Sequence, residues 1–184
     1  MSRVGFVRVP TAGSPPESRS NSHLPVAERG THMKIEEYLT KQGIAFEKHE
    51  HPPAYTAQEV AAEEHVSGNL MAKSVVVQAG ESFAMCVLPA SYKLDMAKVG
   101  KALKAKKVRL ADEQELAKLF PDSEVGAEPP FGNLYDLPTL VDEHLTTDKK
   151  IVCQAGSHRQ AIKLDFAAYQ KLVKPKIADI AVHL

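Results

Sequence analysis

Two apolar runs, Asn69–Gln78 and Ser82–Leu88, are separated by only Ala79, Gly80 and Glu81. A joint that short turns the chain straight back, because parallel neighbours need a crossover of a dozen or more residues. The first run holds Val75, Val76 and Val77 between turn formers, so it reads as a buried strand with the second as its hairpin partner. Side chains alternate along a strand, which puts Met71, Lys73, Val75 and Val77 on one face. A lysine on such a face either snorkels to water or projects into a cleft where a ligand supplies negative charge.

The rest of the chain interleaves strands and helices. Ile35, Tyr38 and Leu39 share a helical face that Gly43 ends, and Ile44–His49 reads as a short strand. Thr56-Ala-Gln-Glu59 is a capping box opening a helix to about His65. Asp95 caps a helix carrying Met96, Val99 and Leu103, and Asp112-Glu-Gln-Glu115 opens another. Strands are expected at 139–143, 150–154, 159–164 and 177–182, with a helix capped by Asp165 before the last. Several strand pairs are joined too tightly to be parallel. The expectation is an α+β single domain: a mixed, mostly antiparallel sheet packed with helices.

A chain of 184 residues suffices for one domain with a real core. Residues 1–32 hold Pro10, Pro15, Pro16 and Pro25, many serines and no helical period, so they read as a disordered extension or expression tag, with the domain at 33–184. No apolar run approaches the ~20 residues of a membrane span. Formal net charge is zero, so any basic surface must come from local clustering. Cys86 and Cys153 form no Cys-x-x-Cys pair and read as buried reduced thiols. His49-x-His51 lacks a third spaced metal ligand and reads as ordinary surface histidines beside a turn.

Two stretches stand out chemically. From Lys93 to Arg109 the chain carries Lys93, Lys98, Lys101, Lys104, Lys106, Lys107 and Arg109 against one acid, Asp95. That is either a solvated helix face or a surface for a phosphate backbone. Val125–Gly132 packs two prolines and two glycines into eight residues, which fixes an irregular loop.

Taken in order, these stretches resemble the YbaK / prolyl-tRNA-synthetase-associated editing domain family. The resemblance runs from about Met33 to the end of the chain. It rests on His51-Pro-Pro-Ala-Tyr-Thr56, Ala72-Lys73-Ser74 before the valines, the Gly126-x-x-x-Pro130 loop followed by Phe131-Gly132, and Gly156-Ser-His158 followed by Ala161-Ile-Lys-Leu164. It implies a free-standing cytoplasmic deacylase that hydrolyses mischarged aminoacyl-tRNA. The partners implied are the acceptor end of tRNA and prolyl-tRNA synthetase, with no metal, cofactor, DNA or membrane. It carries the essential lysine onto Lys73 and the catalytic loop onto Gly126 and Pro130. Substrate contacts fall on Tyr55, Thr56, Phe131, Gly156, Ser157 and His158. The tRNA backbone would meet Lys98, Lys101, Lys104, Lys106, Lys107 and Arg109.

The chemistry suits these parts. Ester hydrolysis needs a placed water, a stabilised oxyanion and a fixed tRNA end, and backbone N–H groups of a rigid glycine loop can donate to the oxyanion. Lys73 is expected to hold the terminal phosphate or ribose, with oxyanion stabilisation second. The residue before the loop proline, often a small hydroxyl-bearing one in the family, is Pro129 here, and Glu128 before it either meets the substrate's α-ammonium or faces solvent. Alanine, cysteine, serine and threonine all remain candidate amino acids, with tRNA(Pro) the family's commonest carrier. Two other classes compete: a non-catalytic module that binds tRNA or an aminoacyl ligand, and a cysteine hydrolase using Cys86 or Cys153 with His158.

Overall fold

The expected hairpin lies at the centre of the sheet. In the computed structural model, which describes residues 3–7 and 34–184, β3 (Met71–Ala79) and β4 (Ser82–Pro89) pair antiparallel from Ala72↔Pro89 to Ala79↔Ser82. Ahead of them come β1 (Arg3–Val7), α1 (Ile35–Lys41), β2 (Phe46–Glu50) and α2 (Ala57–Glu63). After them come β5 (Tyr92–Leu94), α3 (Met96–Leu103), β6 (Val108–Leu110) and α4 (Glu113–Leu119). Then follow β7 (Thr139–Asp142), β8 (Lys150–Gln154), β9 (Gln160–Asp165), α5 (Phe166–Val173), β10 (Lys176–Ala178) and β11 (Ala181–His183). Among the described residues the main sheet has nine strands in the order β1-β2-β9-β8-β3-β4-β7-β10, with β6 beside β3, and β5 pairs β11 separately. The pairs β3–β8, β4–β7 and β7–β10 are parallel and the others antiparallel. This is the mixed α+β sheet expected from the short joints.

Local chemistry sets the helix starts. Thr56 accepts from the Glu59 N–H while the Glu59 carboxylate receives the Thr56 N–H, so the capping box forms in full. Asp95 accepts from Ala97 and Lys98, and Asp112 makes a second capping box with Glu115. Asp165 stands at the start of α5, but its side chain makes no capping bond.

Two expectations need correction. The single strand expected at 177–182 is split. Ile180 N–H turns inward to the buried Asp142 carboxylate at 2.9 Å, so β10 pairs β7 while β11 crosses to β5. The basic stretch ends in a strand, β6, that the charge run concealed. Within the segment read as an extension, Arg3–Val7 pairs with the outer edge of β2, while residues 8–33 lie outside the described residues.

The two faces of β3 differ. Ala72 and Val76 look into the main core with Phe120, Phe131 and Tyr169. On the other face Met71 packs with Val60 and Ala61 of α2, and Val75 and Val77 pack with Val99 and Leu103 of α3. Lys73 lies on this second face, between the part held by α2 and the part held by α3.

Candidate active site

The sheet has a gap where Lys73 sits. Along one edge of β3, β8 covers Met71–Ala72 and β6 covers Val77–Ala79. Among the described residues, Lys73–Val75 have no strand partner on that edge. Lys73 is half-buried, and its Nζ reaches the Ala90 carbonyl at 3.4 Å. Burial holds its pKa below the ordinary lysine value. Its neighbour Ser74, on the opposite face, has a buried hydroxyl without a hydrogen-bond partner among the described residues.

Extending the parallel register Ala72↔Cys153 by one residue sets Gln154 beside Lys73. Gln154 is buried, and its amide nitrogen lies 3.4 Å from His158 Nδ1. His158 joins the surrounding parts. Its Nε2 is 3.0 Å from the Val125 carbonyl, so Nε2–H donates there and Nδ1 is left as the acceptor for Gln154. Its backbone N–H donates to the Glu124 carboxylate at 2.8 Å, and its carbonyl accepts from Ala54. The exposed ring of Tyr55 lies 4.9 Å from the imidazole, centre to centre. With both ring nitrogens engaged, His158 orients its surroundings and is no free base.

The glycine loop is a bonded turn. Ala127 N–H donates to the Glu124 carbonyl, with Gly126 third in the turn at φ +89°. That left-handed value favours glycine. Gly156 N–H donates to Ala127 O and Glu124 N–H to Gly156 O, so the loop is tied to the β8–β9 turn. Pro130 offers its carbonyl to the hydroxyl of the fully buried Tyr169 at 2.7 Å.

Several expected roles change. Gly126 N–H donates to Glu128 Oε1 at 2.9 Å, and the Phe131 N–H is taken by Pro129 O. The amides of Gly126, Ala127 and Phe131 therefore bond within the loop and its turn. Glu128 is only 6% exposed and does not face solvent. Phe131 is fully buried, edge-on to Tyr38 and Tyr169, so it packs in the core. Thr56 uses its hydroxyl for the helix cap. Gly156 and Ser157 line a cavity of about 370 Å³ with Pro129, Tyr135 and Lys48, and Lys73, Tyr55 and His158 are not among its lining residues.

The structure also places the histidine pair and both cysteines. His51 is buried and its Nδ1 donates to Pro52 O, while His49 Nδ1 meets the buried Glu64 carboxylate, so neither is an ordinary surface residue. Among the described residues no group of three or more His, Cys, Asp or Glu side chains is arranged to hold a metal ion. Both thiols are fully buried; burial pushes Cys86 up to about 12 and drives Cys153 well up too, which removes the thiolate a cysteine hydrolase needs. Of the six basic residues, Lys98 is bound to Asp179 and the Ala181 carbonyl, and Arg109 holds Glu115 through two bonds. Lys101, Lys104, Lys106 and Lys107 are exposed.

Sequence reasoning missed Glu124, Gln154 and Ser74. Only Gln154 left a trace, as a polar residue ending an apolar strand.

The family model for the aminoacyl-tRNA editing domain matches residues 51–172, well over half of the chain. Among solved structures, a proposed trans-editing enzyme for prolyl tRNA synthetase superposes with a TM-score of 0.71 at 21% identity, covering 81% of this chain and 92% of that one. The hypothetical protein APE2540 superposes with a TM-score of 0.74 at 22% identity, covering 82% and 100%. At these identities the structural likeness establishes the shared fold.

Proposed function

Since the chain belongs to the aminoacyl-tRNA editing domain family, we propose that it is a free-standing deacylase that hydrolyses the ester of mischarged aminoacyl-tRNA. The observation that carries this reading is Lys73: a half-buried ammonium on an otherwise apolar sheet face, beside a stretch of β3 edge without a strand partner among the described residues. A charge in that setting interacts with an incoming phosphate or developing oxyanion more strongly than it would in water.

The parts then divide the work. Lys73 holds the terminal phosphate or ribose and takes up charge as the ester carbonyl becomes tetrahedral. The turn Glu124–Ala127 supplies shape, and His158 locks that turn to β8 through Val125 and Gln154. Tyr55 offers an exposed ring at the rim. The buried carboxylate of Glu128 favours the substrate's α-ammonium. No side chain here stands out as a general base, and the ribose hydroxyl of the substrate assists the attacking water. The carrier proposed is tRNA(Pro) with a small amino acid such as alanine or cysteine. The setting proposed is the cytoplasm, alongside prolyl-tRNA synthetase. No helix among the described residues is long and apolar enough to cross a membrane.

A non-catalytic binding module is the second reading, favoured by the Gly126 N–H being already occupied. Deacylation assays across tRNAs mischarged with alanine, cysteine, serine and threonine separate the two. Hydrolysis of at least one, above the spontaneous rate, is expected. Tight binding with no hydrolysis of any would establish the module.

A further inference from the structure

We infer that the backbone of the tRNA acceptor stem lands on a ridge formed by Lys101, Lys104, Lys106 and Lys107, and that Lys98 and Arg109 take no part. The inference rests on the proposed substrate and names the surface that receives it.

The ridge is built to stay in place. Lys104 adopts the left-handed conformation at the end of α3, and Lys104 and Ala105 N–H groups donate back to Lys101 and Gly100 carbonyls. Gly100 allows this close return, since a Cβ there would sit 3.1 Å from Ala105 O. Lys176 Nζ donates to Ala102 O at 2.6 Å, and the Lys107 carbonyl accepts from Gly80 at the β3–β4 turn. The lysine side chains thus leave a backbone held from three directions, so no backbone ordering is added to the cost of binding a ligand there.

Among the described residues, none of the four lysines is held in an ion pair. Asp95 is committed to the α3 cap, Asp112 to the α4 cap and Glu115 to Arg109, while Glu81 and Glu113 stand exposed and make no ion pair with the ridge among the described residues. Asp179 neutralises Lys98. Lys104, Ala105 and Lys106 line two surface concavities at once, of about 620 and 450 Å³, so the ridge stands between two grooves. A raised line of four like charges suits a polyanionic backbone better than a single small anion.

Its position fits the same ligand. α3 packs on the face of β3 that carries Lys73, and β6, just beyond the ridge, pairs with β3 at Ala79. Six residue steps of strand run from Lys73 to Ala79, about 20 Å at the usual rise. That is the length of a few nucleotides. With the aminoacyl ester at Lys73 and the single-stranded end lying between, the duplex stem begins at the ridge.

The test measures binding and hydrolysis separately. Fluorescence anisotropy with an uncharged tRNA(Pro) transcript, as a function of salt, needs no catalysis. Replacing Lys101, Lys104, Lys106 and Lys107 by glutamine should weaken binding at least tenfold and reduce the salt slope by about 0.9 for each phosphate no longer neutralised. Melting temperature and hydrolysis of a short aminoacyl-adenosine ester should stay within a few degrees and twofold of wild type, respectively. Lys98→Gln and Arg109→Gln should leave tRNA affinity nearly unchanged. Unaltered affinity in the four-lysine variant, equal weakening in the Lys98 and Arg109 variants, or no tRNA binding by the wild-type chain would each overturn the inference. A protein that binds tRNA through the ridge but hydrolyses nothing would leave the ridge standing and remove the deacylase reading alone.

Discussion

The hydroxyl of Tyr169 on α5 donates to the carbonyl of Pro130 at 2.7 Å, from a side chain with no solvent exposure. The bond anchors the glycine loop to the core from beneath. Tyr169→Phe keeps the packing against Phe131 and leaves the Pro130 carbonyl unpaired, at a cost of about 1–3 kcal/mol. Turnover should fall several-fold because the loop loosens, with the fold retained by circular dichroism. Unchanged stability and turnover would show that the anchor is idle.

Glu128 separates shape from charge. Glu128→Gln retains an oxygen that can accept from Gly126 N–H, whereas Glu128→Ala removes it. If the carboxylate serves the α-ammonium, both variants should raise KM. If it serves only the turn, glutamine should behave as wild type and alanine should lower kcat. Steady-state kinetics on one mischarged tRNA decides between them. Gly126→Ala belongs to the same series: it forces alanine into φ +89°, at about 1–2 kcal/mol, and should lower turnover.

Much of this arrangement was legible from short-range chemistry. The Thr56–Glu59 box, the β3–β4 hairpin and the shared face of Met71, Lys73, Val75 and Val77 depend on neighbours a few residues apart or on strand alternation. What escaped depends on distant partners. Lys98 looked free because Asp179 lies far along the chain, and 177–182 looked continuous because the Asp142 carboxylate that breaks it comes from β7. Phe131 sits in a loop beside glycine and proline, and only its ring packing against Tyr38 and Tyr169 reveals it as core.

Asp142 should be the most costly polar residue to remove. It is fully buried and accepts from Ile180 N–H, His144 N–H and His144 Nδ1–H. Asp142→Ala leaves the buried Ile180 N–H unpaired and frees the β10–β11 corner. A loss of about 3 kcal/mol or more is expected in chemical denaturation, close to the scale of breaking a buried charge network. A loss below about 1 kcal/mol would contradict this.

Burial lowers the Lys73 pKa, and that has two consequences of known sign. Activity that needs the ammonium should decline on the alkaline side at a lower pH than an ordinary lysine would give. Between the lowered folded value and the ordinary unfolded value, the unfolded chain binds the extra proton, so this residue makes stability rise with pH there. Lys73→Met should be at least as stable as wild type near neutrality and lack that rise. pH-rate profiles and denaturation midpoints of the two proteins test both statements.

Lys73 is assigned to work on the substrate and not on the fold. The decisive experiment is single-turnover deacylation by Lys73→Ala against the best substrate found for the wild type, with Cys86→Ala and Cys153→Ala as controls. Lys73→Ala should keep an intact fold and react more slowly by about 10²-fold or more, the scale of losing one placed electrostatic group. Both cysteine variants should react at near wild-type rates. A Lys73→Ala protein that deacylates at the wild-type rate would contradict the assignment.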